Sequence, residues 1–464
     1  MDIAPAPLNI VMVVADTLRT RYLAPYGNAW IHTPRLARFA AESLLFEQAH
    51  PEVLPTIPVR RTLHSGRRVY PFREYNPVPW DNVYLPGWQP MDAHEATVAE
   101  ALAQAGYHTG FYSDVPHYMV PGMNFTRGFR QWEFIRGQAE DRYRATVTAD
   151  PALLRRYRGH ADRIKAHLVN VRPGQAEEEW HTARTFRSAM RFLQENRQNE
   201  PFYLYVDSFA PHETWEAPLH YFDLYGDRAR REPLWITLPY GPLLEDNPEL
   251  AAGLESLKAN YAGLVTLVDT WFGKLLDTLD AVGLRDNTLV IFMSDHGTNF
   301  ADNMERVVGK PASYMYPGTM DIPLMVRHPQ GLGSGQRRSE LVSTVDVPAT
   351  LMAASGAAPH GPLDGRDLLA LVRGDGRFET REYLTCRYGD SVWYKDARTW
   401  FFSTLEFAEP RVFDLETDPD CTVDIADQAA DRIALARSRI LADAAGELKR
   451  FARPDWTDAI GRAN

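Results

Sequence analysis

The stretch "NIVMVVADTLR", residues 9–19, decides the architecture. Apolar residues run unbroken from Ile10 to Ala15 and give way at once to Asp16. A strand with one wet face would alternate apolar and polar. An unbroken short run reads instead as a strand buried on both faces, as in a parallel sheet covered by helices. Three later stretches share this character: "PFYLYVDSF" (201–209), "TLVIFMSD" (288–295) and "IPLMVRHP" (322–329). Between them lie helical patterns, "TVAEALAQAGY" (97–107) with its glycine stop and "YAGLVTLVDTWFGKLLDTLDAVGL" (261–284) with apolar residues three and four apart. Strands alternating with helices predict an α/β fold, a mostly parallel central sheet flanked by helices.

Outward from that core the character changes twice. Residues 138–200 are polar and helical in pattern and read as an insertion or cap. After about 375, "REYLTCRYGDSVWYKDARTWFFSTLE" is aromatic and alternating, which predicts antiparallel hairpins, and a last helix is expected over 428–452. The expected division is therefore a catalytic α/β domain over 1–375 and a small antiparallel-sheet subdomain with a terminal helix over 376–464.

A net charge of −11 argues against nucleic acid or an anionic membrane as partner. A small anionic ester remains compatible, because Arg60, Arg61, Arg67 and Arg68 concentrate positive charge locally. Two cysteines indicate no disulfide framework, and the amino terminus shows no basic leader or run of signal-core length. A cytoplasmic protein is the expectation, with a homo-oligomer open through the helical insertion.

Ligands of open α/β sheets bind beyond the carboxyl ends of the strands. Two strands end there in acids, Asp16 and the pair Asp295–His296, and a third delivers Asp207 and, after a turn, His212. Asp16, Asp295 and His296 form an oxygen and nitrogen set suited to a divalent cation. Each acid alone could equally cap a following helix. The stretch "PTIPVRRTLHSGRR" (55–68) poses the same choice: Thr56 is either a nucleophile held against a cation or the N-cap of the helix near Pro58.

Taken together these stretches resemble the sulfatase branch of the alkaline phosphatase superfamily. "NIVMVVADTLR" resembles its first strand and metal aspartate, and "TIPVRRTLHSGR" its C/S-x-P-x-R signature. "PFYLYVDSFAPHETWEAP" resembles its histidine strand, and "SDHG" with "GKPASY" its second metal strand and lysine loop. The resemblance implies one metal ion held by Asp16, Asp295, His296 and the Thr56 oxygen, Mn²⁺ or Zn²⁺ first and Ca²⁺ as the alternative. It implies that Arg60 steadies the nucleophile and the transferring group. His212 and Lys310 would contact the ester oxygens, His212 as the acid for the leaving group. His117, near the family's other active-site histidine, and Tyr112 are the expected substrate contacts.

Three departures shape the chemistry. Thr56 stands where the family has Cys or Ser, so no formylglycine can form. Thr17 follows Asp16 where many members have a second acid, and Ser113–Asp114 occupy the region of a family lysine. A threonine adduct has no aldehyde exit and must be attacked by water or another acceptor. The wider superfamily handles phosphoryl adducts in this way, and the resemblance to its threonine members implies phosphate diesters or phosphonate monoesters as substrates, through phospho-Thr56. Sulfate ester hydrolysis without formylglycine, phosphoryl-alcohol transfer and a non-catalytic binding module are the alternatives.

Overall fold

In the computed structural model the four apolar runs become neighbours in one sheet. The structure describes residues 7–77, 83–139, 141, 143–144, 151–171, 174–374 and 378–452. Asn9–Ala15 is central, parallel to Thr288–Ser294 on one side and to Phe202–Ser208 on the other. His108–Ser113 and Gln131–Phe134 continue the sheet in parallel beyond Phe202–Ser208. On the opposite flank Leu324–Arg327 pairs antiparallel with Thr288–Ser294, and Leu44–Phe46 antiparallel with it. The run at 322–329, read as one more strand of a mainly parallel sheet, is thus antiparallel. The chain between 295 and 323 holds only a two-stranded hairpin and the one-turn helix Pro317–Met320, with no crossover long enough to return a strand in parallel.

Alternate residues of the central strand feed two separate cores, Ile10, Met12 and Val14 on one face and Val11, Val13 and Ala15 on the other. The first core is closed by Thr56–Ser65, Val98–Gln104 and Asp346–Ser355 through Ile57, Leu63, Leu102 and Leu351. The second is closed by Pro248–Ala281, which begins earlier than expected at the Asn247 cap and spans about 50 Å at 1.5 Å per residue. His181–Glu195 lies beside it and buries Ala183, Phe186, Ala189, Phe192 and Leu193. The segment read whole as an insertion therefore divides. Its last helix is part of the core, and its apolar stripe was hidden among many polar residues.

Tyr383–Tyr388, Ser391–Asp396, Thr399–Thr404 and Arg411–Asp414 form the expected antiparallel meander, covered by Ala430–Asp443 through Ala436 and Ile440. Its fifth strand comes from far away: Val53–Leu54 pairs in parallel with Arg387 and Tyr388. The border expected at 375/376 lies outside the described residues. Among the described residues no helix is long and apolar enough to cross a membrane.

Candidate active site

Sheet register brings the strand-end acids together. Ala15 pairs with Ser294 on one side and with Ser208 on the other. Asp16 and Asp295 therefore leave adjacent parallel strands at the same level, and both are fully buried. Asp16, Asp295 and His296 can each offer one ligand atom, all within 4.8 Å of one another. His296 Nδ1 lies 3.0 Å from the Gly297 carbonyl, which only accepts, so Nδ1 carries the proton and Nε2 presents its lone pair. Burial pushes the His296 pKa down to about 4 against the pull of Asp295.

Thr17, read as the place of a missing acid, holds both carboxylates. Its N–H donates to Asp295 Oδ1 at 3.0 Å and its hydroxyl to Asp16 Oδ1 at 2.7 Å. A φ of 64° makes this double reach geometrically available. That conformation is costly for a β-branched residue and marks a functional constraint. The Tyr261 hydroxyl donates to the Thr17 carbonyl at 2.6 Å and fixes the turn.

Thr56 is the first residue of the helix Thr56–Ser65, with Pro55 at the cap position and no side-chain cap bond. The N-cap alternative therefore does not hold. The Thr56 hydroxyl lies 3.4 Å from His296 Nε2, at the positive end of the helix. Gly66 ends that helix at φ 70°, where a side chain would also strike Leu363 at 2.5 Å, which accounts for the signature glycine. Of the flanking arginines, Arg61 pairs with Glu95, Arg67 with Asp364 and Arg68 with Asp443.

One turn on, Arg60 is fully buried among three carboxylates. Asp207 receives its Nε at 3.0 Å and NH2 at 2.8 Å, Asp295 receives NH1, and Asp16 Oδ2 stands 3.0 Å from NH2. Asp207 also accepts the hydroxyls of Tyr118 at 2.6 Å and Tyr205 at 3.1 Å. The contact to Asp16 lacks hydrogen-bond geometry, and Asp16 Oδ2 is left buried without a hydrogen bond. Burial and Asp295 hold the Asp16 carboxyl well above the usual range, whereas Arg60 and His296 overcome burial and hold Asp295 well below it. Were all three carboxyls ionised, they would outweigh the one guanidinium, and the raised Asp16 registers that uncompensated charge. The orphaned Asp16 oxygen, the charge excess and the mixed O/N donor set all fit a divalent cation.

A cavity of about 420 Å³ opens over Thr56. Its polar wall carries His212, Glu213, Tyr240 and Lys310, and its apolar wall Val83, Leu85, Trp88, Phe209, Ile236 and Leu238. Glu213 joins the polar group. It accepts from Lys310 Nζ at 2.6 Å and from the Tyr240 hydroxyl at 2.8 Å, and lies 3.0 Å from His212 Nδ1. Burial raises its pKa, but Lys310 and His212 more than reverse this and hold it at about 2. His212 Nδ1 also lies 2.7 Å from the Glu213 carbonyl, so that nitrogen bears the proton. Burial, then Lys310, push the His212 pKa down to about 3.

Of the expected residues Thr56, His212 and Lys310 line the cavity, while Asp16, Arg60, Asp295 and His296 form a fully buried cluster that meets it through Thr56. His117 reaches its wall, edge-on to Trp88 at 4.8 Å between ring centres. Tyr112 does not reach it. Strand alternation turns it to the opposite core beside Phe192, where its hydroxyl accepts from Gln131 Nε2 at 2.7 Å. Sequence reasoning missed Glu213, Tyr240, Tyr118 and the part played by Asp207. For Asp207 the signal was present, since an acid inside an apolar strand demands a partner.

A model of the sulfatase family matches residues 8–357. The chain belongs to the sulfatase family. It is a hydrolase of that family within the alkaline phosphatase superfamily, and sulfatase-family proteins generally bind a divalent metal. An arylsulfatase of Clostridium perfringens is 26% identical over 449 residues, spanning 89% of this chain and 88% of that one. A phosphonate monoester hydrolase of Agrobacterium radiobacter superposes with a TM-score of 0.71 at 22% identity, over 95% of this sulfatase-family chain and 96% of its own. A protein solved with its substrate D-glucosamine-2-N,6-O-disulfate gives 0.72 at 18% identity, over 95% and 98%. At those identities the structural likenesses establish the shared fold.

Proposed function

We propose that this sulfatase-family hydrolase cleaves phosphate diesters or phosphonate monoesters through a covalent intermediate on Thr56. The observation that supports this reading most is the Thr56 hydroxyl itself, placed against His296 Nε2 at the cavity floor where formylglycine chemistry is barred. Asp16, Asp295, His296 and the Thr56 oxygen would hold one divalent ion, Mn²⁺ or Zn²⁺ first and Ca²⁺ as the alternative. When bound, that ion supplies positive charge and lowers the pKa of the Thr56 hydroxyl.

Thr56 Oγ1 attacks phosphorus, and the bond to the leaving alcohol oxygen breaks. Arg60, fixed by Asp207, and Lys310 stabilise the charge that develops on the non-bridging oxygens. His212 enters neutral with Nδ1–H committed to Glu213, so Nε2 is the nitrogen that carries the displaced proton to the departing alkoxide. Water then attacks the Thr56 adduct and restores the hydroxyl. The apolar wall suits an aryl or alkyl alcohol portion.

The test is a panel of nitrophenyl esters (sulfate, phosphate monoester, phosphate diester, phosphonate monoester) on protein stripped and reloaded with each ion, beside Thr56→Ala. Diester or phosphonate turnover that requires the ion and vanishes in the variant is the expected result. Dominant sulfate turnover would overturn the reading in favour of a sulfate ester hydrolase, the activity that the arylsulfatase likeness favours.

A further inference from the structure

We infer that Glu213 sets the charge this cavity accepts, favouring singly charged esters over doubly charged phosphate monoesters. The inference rests on the reading above, in which the transferring group sits between Thr56 and Lys310. Among the described residues lining the cavity the cations are Lys310 and Arg163, and Lys310 stands on the polar wall with its ammonium already bound to a buried carboxylate. Lys310 therefore reaches a substrate with its charge largely compensated.

Counting the buried ionised groups makes the consequence explicit. With a cation bound and every carboxyl of the site ionised, Asp16, Asp207, Asp295 and Glu213 would contribute four negative charges, and Arg60 and Lys310 two positive ones. The excess of two matches one divalent ion and leaves a neutral site. Without the Glu213 charge the same site would carry one net positive unit. A phosphate monoester carries nearly two negative charges above its second ionisation near pH 6, whereas diesters, phosphonate monoesters and sulfate esters carry one. In a buried site, where water screens weakly, the Glu213 charge repels a dianion about twice as strongly as a monoanion.

The carboxylate is held in place by a dedicated device. Tyr240 reaches Glu213 because Gly309, at φ 79°, lets its ring pass where a Cβ would lie 2.1 Å from Cδ1. Gly241 beside it pairs with Val308. Tyr240→Phe removes one hydrogen bond while leaving the Glu213 charge, so it separates position from charge.

The experiment compares 4-nitrophenyl phosphate with methyl 4-nitrophenyl phosphate at pH 8 on the ion-loaded wild type, Glu213→Gln and Tyr240→Phe. In parallel, calorimetry measures binding of methyl phosphate and dimethyl phosphate, which needs no turnover. Glu213→Gln should raise the dianion-to-monoanion ratio by about tenfold or more in both measurements, while Tyr240→Phe leaves it unchanged. Lys310→Gln, which removes a positive charge instead, should shift the ratio the opposite way and decides the matter if Glu213→Gln does not fold. Ratios that stay constant across the charge variants overturn the inference even where the diester is hydrolysed. A binding ratio that shifts as expected, in a protein that hydrolyses neither ester, upholds charge selection and overturns the hydrolytic reading instead.

Discussion

Replacing Asp207 by Asn tests how the site is held together. Asp207 accepts two bonds from Arg60 and one each from Tyr118 and Tyr205, with no exposure to solvent. Asparagine keeps the shape but removes the charge and turns an NH₂ toward groups that are themselves donors. Breaking one partner out of a buried ion pair costs about 3–5 kcal/mol. Tyr118→Phe, which deletes only a hydrogen bond to the same carboxylate, should cost about 1.5–3 kcal/mol. Arg60 would then balance Asp16 and Asp295 alone, leaving one negative charge fewer near the proposed ion and an ion affinity weaker by about tenfold. Urea unfolding of stripped protein reads the first effect, and titration with Mn²⁺ or Zn²⁺ the second. An Asp207→Asn variant no less stable than Tyr118→Phe, with unchanged ion affinity, would refute this account of Arg60.

Three further outcomes follow from the same geometry. Thr56→Ala should bind the ion, one ligand short, yet lose at least about a thousandfold in kcat, while Thr56→Ser keeps measurable turnover and a trappable adduct. Loading with the ion at a hundred times its Kd should stabilise the fold by about 2.7 kcal/mol, and Asp16→Asn should abolish that gain in a thermal-shift titration. Glu213 is ionised in the folded protein down to about pH 2, whereas the unfolded chain protonates it near 4.5. Its stabilisation, about 3 kcal/mol, is therefore complete above pH 4.5 and lost as pH falls toward 2, and Glu213→Gln should flatten that part of the acid-unfolding profile.

What could be read from the sequence was what lies within one element. The doubly buried strands announced themselves as unbroken apolar runs, and Asp16, Asp295 and His296 sit immediately after two of them. Strand continuity alone therefore carried them to the sheet's carboxyl edge. Tyr112 was misplaced by one step of the two-residue alternation, the smallest error a strand permits and one that moves a side chain to the other face. Glu213 was beyond reach because its meaning lies in Lys310 and Tyr240, brought to it only by tertiary folding. Thr17 looked like a loss because only carboxylates were sought at that position. Its backbone conformation and its hydroxyl together give it its place. The helix His181–Glu195 hid because arginines, threonines and other polar residues dilute a stripe that only a neighbouring helix makes visible.

Val53–Leu54 joins the late meander only two residues before Thr56. Thr56, the proposed nucleophile, follows a strand that finds its partner more than three hundred residues later, at Arg387 and Tyr388. During synthesis the helix bearing Thr56 and Arg60 can pack on the growing sheet while its entry segment stays unpaired. A polypeptide still attached to the ribosome would thus hold most of its acids and its arginine without a settled nucleophile. The entry to Thr56 is therefore settled only by a contact of very high sequence separation, made once the later hairpins have formed.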